Sequence, residues 1–462
     1  MKLTVFGPPG TGKTYRLIQE VGELLKVYHP GDIAFVSFTR RGAIEGFTRA
    51  KSTFGYKPDD FTLFRTIHSL CYRVCKGSGE VLQPKHARLF EKSTGFTLEP
   101  VKEEEIAFRS VDLFSAYNII RNNPALKEQT LEYLNVKQYE KFVKVYEDFK
   151  SKYNVMDFTD LLIRYVKNGD PLDVSAAIID EAQDLTPLQW QVVTKMFSRA
   201  NDLILAGDDD QAVFSWAGAD VEQFLSYTQD HEVLEQSYRM PRAVYSYAEK
   251  ITADIQVRKS KLFRPRDAEG ILDVTDRAYV NPDESALILS RTNAALTPVV
   301  QELRLLGEPY ELHGEPSINS RVLHAIQRFI AWNEGKLNKS KLMVYSSYFK
   351  DDPTKYCDWR DCIDLQPEEA EYYDAVLSSE RTEEELLHPK LRIDTIHSAK
   401  GAEADHVYLM LDMPRLAMLT MQNTPDFENR VYYVGATRAR EHLTLCLSNS
   451  KYSYKLYNPE VV

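Results

Sequence analysis

Residues 3–18 read Leu3-Thr4-Val5-Phe6-Gly7-Pro8-Pro9-Gly10-Thr11-Gly12-Lys13-Thr14-Tyr15-Arg16-Leu17-Ile18. An apolar run leads into a loop of the form G-x-x-x-x-G-K-[ST], and a helical pattern follows, which is the strand–loop–helix setting of a phosphate loop. Gly7, Gly10 and Gly12 have no Cβ to block backbone N–H groups from closing around a triphosphate, with Pro8, Pro9 and Thr11 completing the loop. The helix points its positive N-terminus at the phosphates. Lys13 can reach the β- and γ-phosphates, and the Thr14 hydroxyl can hold Mg²⁺. The competing reading is a Gly/Pro-rich turn without a ligand. Every fixed position and both flanks weigh against it. The stretch implies binding of a nucleoside triphosphate and places it at the end of the first strand of an α/β sheet.

A second run, Ala176-Ala177-Ile178-Ile179-Asp180-Glu181-Ala182-Gln183-Asp184, ends an apolar strand in two adjacent carboxylates. Adjacent acids are common on solvated surfaces. A buried strand end leaves two such charges without purpose unless they act, so a hydrolytic pair is expected. Asp180 is placed to hold Mg²⁺ and Glu181 to accept a proton from the attacking water.

The whole chain bounds what surrounds this site. At 462 residues it has room for several domains, and 43% hydrophobic with 27% charged residues is ordinary for a globular protein. No apolar run approaches the ~20 residues of a membrane helix, so no membrane partner is expected. The N-terminus reads as a core strand rather than a signal sequence, which sets the expected location as cytoplasm. Cysteines at 71, 75, 357, 362 and 446 form no C-x-x-C pair and join no His cluster, against zinc, iron–sulfur or a disulfide framework. The formal charge of −11 excludes a protein coated in basic patches but not a local nucleic-acid groove. Glu103–Glu105 and Glu383–Glu385 read as solvated acidic faces.

Apolar strand patterns recur at 2–6, 32–38, 61–66, 176–181 and 202–207, and again at 271–275, 285–290, 392–397, 405–411 and 442–448. Alternation with helical patterns predicts parallel sheets flanked by helices. Residues 76–155 read as helical, with Tyr139, Phe142, Val145, Tyr146 and Phe149 as helix core, and 314–389 read as irregular, polar and acidic.

In their order and spacing these blocks resemble superfamily 1 DNA helicases of the UvrD/Rep type. Besides the phosphate loop and Ile178–Asp184, the resemblance is carried by Ala34–Arg41 (AFVSFTRR), Thr66–Ser69 (TIHS), Leu205–Gln211 (LAGDDDQ) with Phe214–Asp220 (FSWAGAD), Leu234–Arg239 (LEQSYR), Thr395–Glu403 (TIHSAKGAE) and Tyr433–Arg440 (YVGATRAR). It covers roughly residues 3–447. It implies an α/β fold of two RecA-like phosphate-loop domains, each with a reduced insertion. The first domain is expected at 1–75 and 156–235 with a helical insertion at 76–155. The second is expected at 236–313 and 390–462 with an insertion at 314–389. The implied activity is that of a nucleic-acid-stimulated ATP hydrolase, a DNA helicase or translocase moving 3′→5′ on single-stranded DNA or at single-strand/duplex junctions as ATP closes the two domains. ATP and Mg²⁺ are the implied cofactors. A monomer with replication or repair partners is expected.

The same resemblance assigns roles residue by residue. Lys13, Glu181, Gln211, Arg239 and Arg438 are the implied catalytic set, Arg239 and Arg438 reaching the γ-phosphate from the second domain. Tyr238 would stack on the nucleotide base, Glu403 would contact the ribose, and Tyr15 follows the loop where relatives often carry Arg. Phe38, Phe214 and Trp216 hold base-stacking positions, while His68, Thr395 and His397 match strand-contacting ones. Ala217 replaces a usual Arg near the strand path. The run Arg258-Lys259-Ser260-Lys261-Leu262-Phe263-Arg264-Pro265-Arg266 is the densest basic segment and reads equally as a phosphate contact or a solvated loop. The loop begins at residue 7 with no upstream glutamine motif, so looser nucleotide choice is expected. The 22 residues after Arg440 are too few for a fused nuclease. Two alternatives stay open: a single-strand DNA translocase that remodels protein–DNA complexes without separating strands, favoured by the short second insertion, and an RNA-directed motor or nucleotide-gated binding module.

Overall fold

The computed structural model describes residues 2–74, 79–98, 112–132, 134–276, 284–379, 381–448 and 450–455. Glu103–Glu105 and Cys75 lie outside the described residues. The chain divides into two compact units, one comprising Met1–Gly270 with Pro414–Thr437, the other Ile271–Met413 with Arg438–Asn458.

The first unit is built on strands β1 (Lys2–Phe6), β2 (Ile33–Ser37), β3 (Phe64–Thr66), β6 (Ala176–Asp180), β7 (Asp202–Gly207) and β8 (His231–Val233), with β4 (Glu80–Val81) and β5 (Val155–Met156) forming a separate two-stranded ladder. The six strands run parallel in the order β3-β2-β6-β7-β1-β8. Successive strand residues feed opposite faces. Val5, Phe35, Ile178 and Ile204 pack with Leu17, Ile18 and Val21 on one side, while Val36, Ile179 and Leu205 pack with Leu70, Trp190 and Val193 on the other. Burial on both faces explains why these strands read as unbroken apolar runs rather than alternating ones. Register then aligns the carboxyl ends: Phe6 lies beside Gly207, and Ser37 beside Asp180. Ligands of open α/β sheets bind at that edge.

Helices Pro84–Thr94, Leu113–Asn122, Lys127–Glu132 and Val136–Tyr153 confirm the helical reading of the described part of 76–155. Their core gathers Phe90, Phe114, Tyr117, Phe142, Tyr146 and Phe149. Beneath it, Lys150 is buried and donates to Asp157 at 3.1 Å and to Asp160 at 2.8 Å. Asp157 caps helix Phe158–Asn168, so one buried ion cluster ties the insertion to the sheet unit.

Residues 236–270 were expected in the second domain, yet they pack in the first unit. The Ser237 amide donates to the Arg264 carbonyl at 2.8 Å, and helix Arg242–Ala253 lies against helix Pro425–Ala436. The reason is polar as well as apolar, because Lys261 is anchored in the carboxylates that follow β7.

The second unit holds β9 (Ile271–Thr275), β10 (Ala286–Ser290), β11 (Glu311–Leu312), β12 (Glu315–Pro316), β13 (Leu391–Thr395), β14 (Ala404–Met410) and β15 (Ala439–Cys446), ordered β12-β11-β13-β10-β14-β15-β9. All pairings are parallel except the β11–β12 hairpin. The stretch 314–389 is not irregular. It forms helices Ser320–Asn333, Lys339–Leu342, Trp359–Cys362, Pro367–Ser378 and Glu383–Leu387. Leu323, Phe329, Trp359, Tyr372 and Val376 share one apolar cluster with Ile288, Ile393 and Tyr408 of the sheet. Several of these helices are single turns capped by Asn338, Asp358 or Thr382, too short to display a helical period.

Candidate functional site

The phosphate loop stands at the end of β1, stitched by Gly7 N–H to the Gly207 carbonyl at 2.9 Å and by Thr11 Oγ1 to the Pro8 carbonyl at 2.8 Å. Gly10 and Gly12 adopt φ of 72° and 78°, a left-handed backbone that glycine enters without steric cost. A Cβ on Gly10 would stand 2.3 Å from the Arg239 Cβ, and one on Gly7 would stand 2.8 Å from the Lys13 Cβ. The helix Lys13–Leu24 (α1) opens directly after Gly12.

At the end of β6 the carboxylates meet this loop. Lys13 Nζ contacts the Glu181 carboxylate and lies 3.8 Å from Asp180 Oδ1. Burial opposes the Lys13 charge, but Glu181 and Asp180 outweigh it and hold the ammonium above its ordinary range. Asp180 is 5% exposed, and burial pushes its carboxyl up to about 6 despite Lys13. Glu181 sits at φ 55°, ψ 39°, unusual for a residue with a side chain. A buried Asp180 and a part-buried Glu181 beside a lysine at a glycine cradle fit a metal–triphosphate, because Mg²⁺ would offset the carboxylate in excess and the phosphates would meet Lys13. Thr14 and Asp180 are the residues that would hold the metal.

Gln211 follows β7 in the turn Asp209–Gln211 and donates its amide N–H to Asp208 Oδ2 at 2.7 Å. The Asp208 backbone N–H donates to Gln183 Oε1 at 3.2 Å, and the Gln183 amide in turn reaches Glu181. Polar contacts therefore run without a break from Lys13 to Gln211.

Arg239 and Tyr238 belong to the first unit rather than the second, correcting their expected placement. Tyr238 N–H donates to the Gly10 carbonyl at 2.8 Å, and the residue is 74% exposed. Tyr15 is also exposed, at 64%. Arg239 donates to the Thr437 carbonyl at 3.4 Å. Ser237, unremarked in the sequence, clamps the loop through Oγ to the Pro9 carbonyl at 2.8 Å. Gln183 was likewise missed. Both sit inside blocks whose neighbours were singled out, which is the only signal the sequence offers.

Phe38, Phe214 and Trp216 form a row in the first unit, with ring centroids 5.7 Å and 6.4 Å apart. His68 lies edge-on to Phe158 at 5.6 Å in a cavity of about 360 Å³ lined also by Thr66 and Tyr72. Burial lowers its imidazole to about 4, so it is neutral at physiological pH. In the second unit Thr395 and His397 are 0% and 3% exposed, and burial first, then Arg291 and Lys400, hold His397 neutral. Neither offers its side chain at the surface. Arg438 is 2% exposed and donates to the Ala402 carbonyl at 3.4 Å, while half-buried Glu403 pairs with Arg440 at 3.4 Å. The basic run 258–266 is neither a solvated loop nor a free phosphate contact at its centre. Lys261 is buried, and Arg258 makes a two-pronged contact with Asp210 at 2.8 and 2.6 Å. Among the described residues no helix is long and apolar enough to cross a membrane.

Residues 1–232 match the UvrD/REP helicase N-terminal domain, and 367–450 match the UvrD-like helicase C-terminal domain. The ATP-dependent DNA helicase Rep of Buchnera aphidicola subsp. Baizongia pistaciae is 25% identical over 306 residues, covering 61% of this chain and 45% of that protein. The ATP-dependent DNA helicase PcrA of Bacillus subtilis is 25% identical over 294 residues, covering 58% and 40%. The chain thus spans less than half the length of these curated relatives. A solved arterivirus nonstructural protein 10 helicase aligns over 96% of this chain and 59% of its own at 12% identity and a TM-score of 0.38, too low to bear on the fold. The phosphate loop and the β6 acids both fall inside the first matched segment, which is half of the chain, and on that match the protein belongs to the UvrD/Rep helicase family.

Proposed function

We propose that this protein is an ATP-driven DNA helicase or translocase acting on single-stranded DNA, with 3′→5′ movement. The observation that carries the reading is Lys13 set against Glu181 and Asp180 at the mouth of the glycine cradle. In it, Lys13 binds the β- and γ-phosphates and Thr14 with Asp180 holds Mg²⁺, which supplies charge neutralisation when bound. Glu181 accepts the proton of the attacking water. Gln211, Arg239 and Arg438 complete the hydrolytic set. Tyr238 and Tyr15 flank the base, and Glu403 meets the ribose. The row Phe38–Phe214–Trp216 supplies π-faces on which successive bases stack, a mode of binding tolerant of sequence. His68 adds a neutral imidazole contact. Thr395 and His397, whose side chains are buried in the second unit, would shape that unit's strand-contacting backbone from within.

The Rep and PcrA relatives are named as DNA helicases, and that supports DNA over RNA as the track. ATP hydrolysis measured with no polymer, single-stranded DNA, single-stranded RNA and blunt duplex tests the reading. Stimulation by single-stranded DNA is the expected result. Equal stimulation by RNA would move the substrate assignment, and no stimulation by any polymer would overturn the motor reading. A forked-duplex assay with tails of each polarity then separates strand separation from translocation alone.

A further inference from the structure

Lys261 is the most deeply enclosed cation of the first unit's acidic turn. Its side chain is 0% exposed, and Nζ lies 3.1 Å from Asp208 Oδ1 and 2.8 Å from Asp210 Oδ2, with Asp209 also in contact. The three carboxylates are themselves shut away from water. Asp208 uses its two oxygens differently: Oδ1 faces Lys261, while Oδ2 accepts the Gln211 amide at 2.7 Å. Arg258 holds Asp210 in two-pronged fashion, Lys259 N–H donates to Asp209 Oδ2 at 2.7 Å, and Arg430 Nε donates to the Asp209 carbonyl at 2.9 Å. Residues 258–261 therefore grip the turn on three consecutive acids, and Gln211 hangs from the first of them.

Buried charge clusters are costly to assemble and contribute little to net stability against an apolar equivalent, which leaves room for a role beyond stability. Here the geometry offers one. Fixing the Asp208 carboxylate by an ion pair on one oxygen fixes the acceptor direction of the other. That direction is what orients the Gln211 amide at the carboxyl edge of the sheet, where Glu181 and Lys13 also lie.

We propose that Lys261 is a positioning residue which, through Asp208, sets the orientation of the Gln211 amide for ATP turnover, so that the basic segment 258–261 serves the hydrolytic site rather than nucleic acid. The proposal rests on the reading of the chain as a polymer-stimulated ATPase.

A double-mutant cycle tests it in the full chain, with kcat and KM for ATP measured with and without saturating oligo-dT. Lys261→Met is expected to lower the stimulated kcat by about tenfold or more, since small misplacements of a reacting group have effects of that order. The KM for ATP is expected to stay within about twofold. In a Gln211→Ala background Lys261→Met is expected to cause no further loss. Should Lys261→Met fail to fold for want of a counter-charge, Asp208→Asn supplies the same cycle: it removes one charge at constant size and should reproduce the loss of kcat without a change in KM. Losses that multiply in the double variants, or a normal stimulated rate in Asp208→Asn, would overturn the proposal while leaving the motor reading intact. Absence of any polymer stimulation in the wild-type protein would overturn the motor reading and this proposal together.

Discussion

Glu181 is held at φ 55°, a conformation that costs on the order of 1–3 kcal/mol for a residue with a side chain. Its carboxylate consequently meets Lys13 on one side and Gln183 on the other. Replacing it by Gln keeps the shape and removes the proton acceptor. Glu181→Gln should lower kcat by about 10²–10⁴-fold, the usual share of a general base, with nucleotide affinity retained in equilibrium binding; normal turnover would remove Glu181 from that role. Gly10 yields a second expectation. A Cβ there meets Arg239 at 2.3 Å, and the left-handed backbone adds about 1–2 kcal/mol, so Gly10→Ala should weaken ATP binding and lower the melting temperature together. A variant that binds ATP normally would show that the loop can move away from Arg239. His68 carries a pH dependence whose sign is fixed by its lowered pKa of about 4 against an ordinary 6.5. The unfolded chain takes up the proton first, so the stability His68 contributes is complete above pH 6.5 and is lost as pH falls toward 4, by about 1–2 kcal/mol for a half-buried ring. Denaturant midpoints from pH 4.5 to 7 should show that slope, and His68→Asn should flatten it. The phosphate loop and the β6 acids were legible because their chemistry is contiguous in sequence. Ser237, Gln183 and Lys261 were not, because their partners lie 228, 25 and more than 50 positions away and no local pattern announces such a pairing.

At the scale of elements, legibility followed burial. Strands enclosed on both faces, such as Ala176–Asp180 and Asp202–Gly207, appear in the sequence as unbroken apolar runs at nearly their observed bounds. The two- and three-residue strands β8, β11 and β12 left no such trace, since pairing rather than composition makes them strands. Capped single turns hid the helical character of 314–389, although its aromatic residues enter the same core as β10 and β13. The helical insertion supplies the prediction that belongs here. Lys150, 5% exposed, joins helix Val136–Tyr153 to the cap of helix Phe158–Asn168 through Asp157 and Asp160. Arg121 also pairs with both acids, so Lys150→Met leaves them to share one cation and should cost about 1–3 kcal/mol in urea denaturation. Restoring neutrality with Lys150→Met/Asp160→Asn should recover part of that loss. Equal instability in both variants would mean that packing of the lysine stem, not its charge, holds the insertion.

Over the whole molecule, every residue proposed to touch phosphate apart from Arg438 lies in the first unit, while the second is organised around a separate apolar cluster. Two cores of this kind predict two separable responses to heat. Nucleotide binds the folded first unit and not the unfolded chain, so saturating ADP or a non-hydrolysable ATP analogue adds RT ln(1 + [L]/Kd), about 2.7 kcal/mol at a hundredfold excess over Kd, to that unit's unfolding free energy. Leu323 is fully buried in the cluster shared by helix Ser320–Asn333 and the second sheet. Leu323→Ala should remove about 2–5 kcal/mol from the second unit, as large-to-small core changes do. Calorimetry of the wild type, the variant, and each with nucleotide should therefore show one transition that moves with ligand and another that moves with Leu323. The logic does not depend on which melts first. If both perturbations displace a single shared transition by the same amount, the two cores unfold as one cooperative body, and nucleotide binding at the loop is then linked energetically to the second unit even before any DNA is bound.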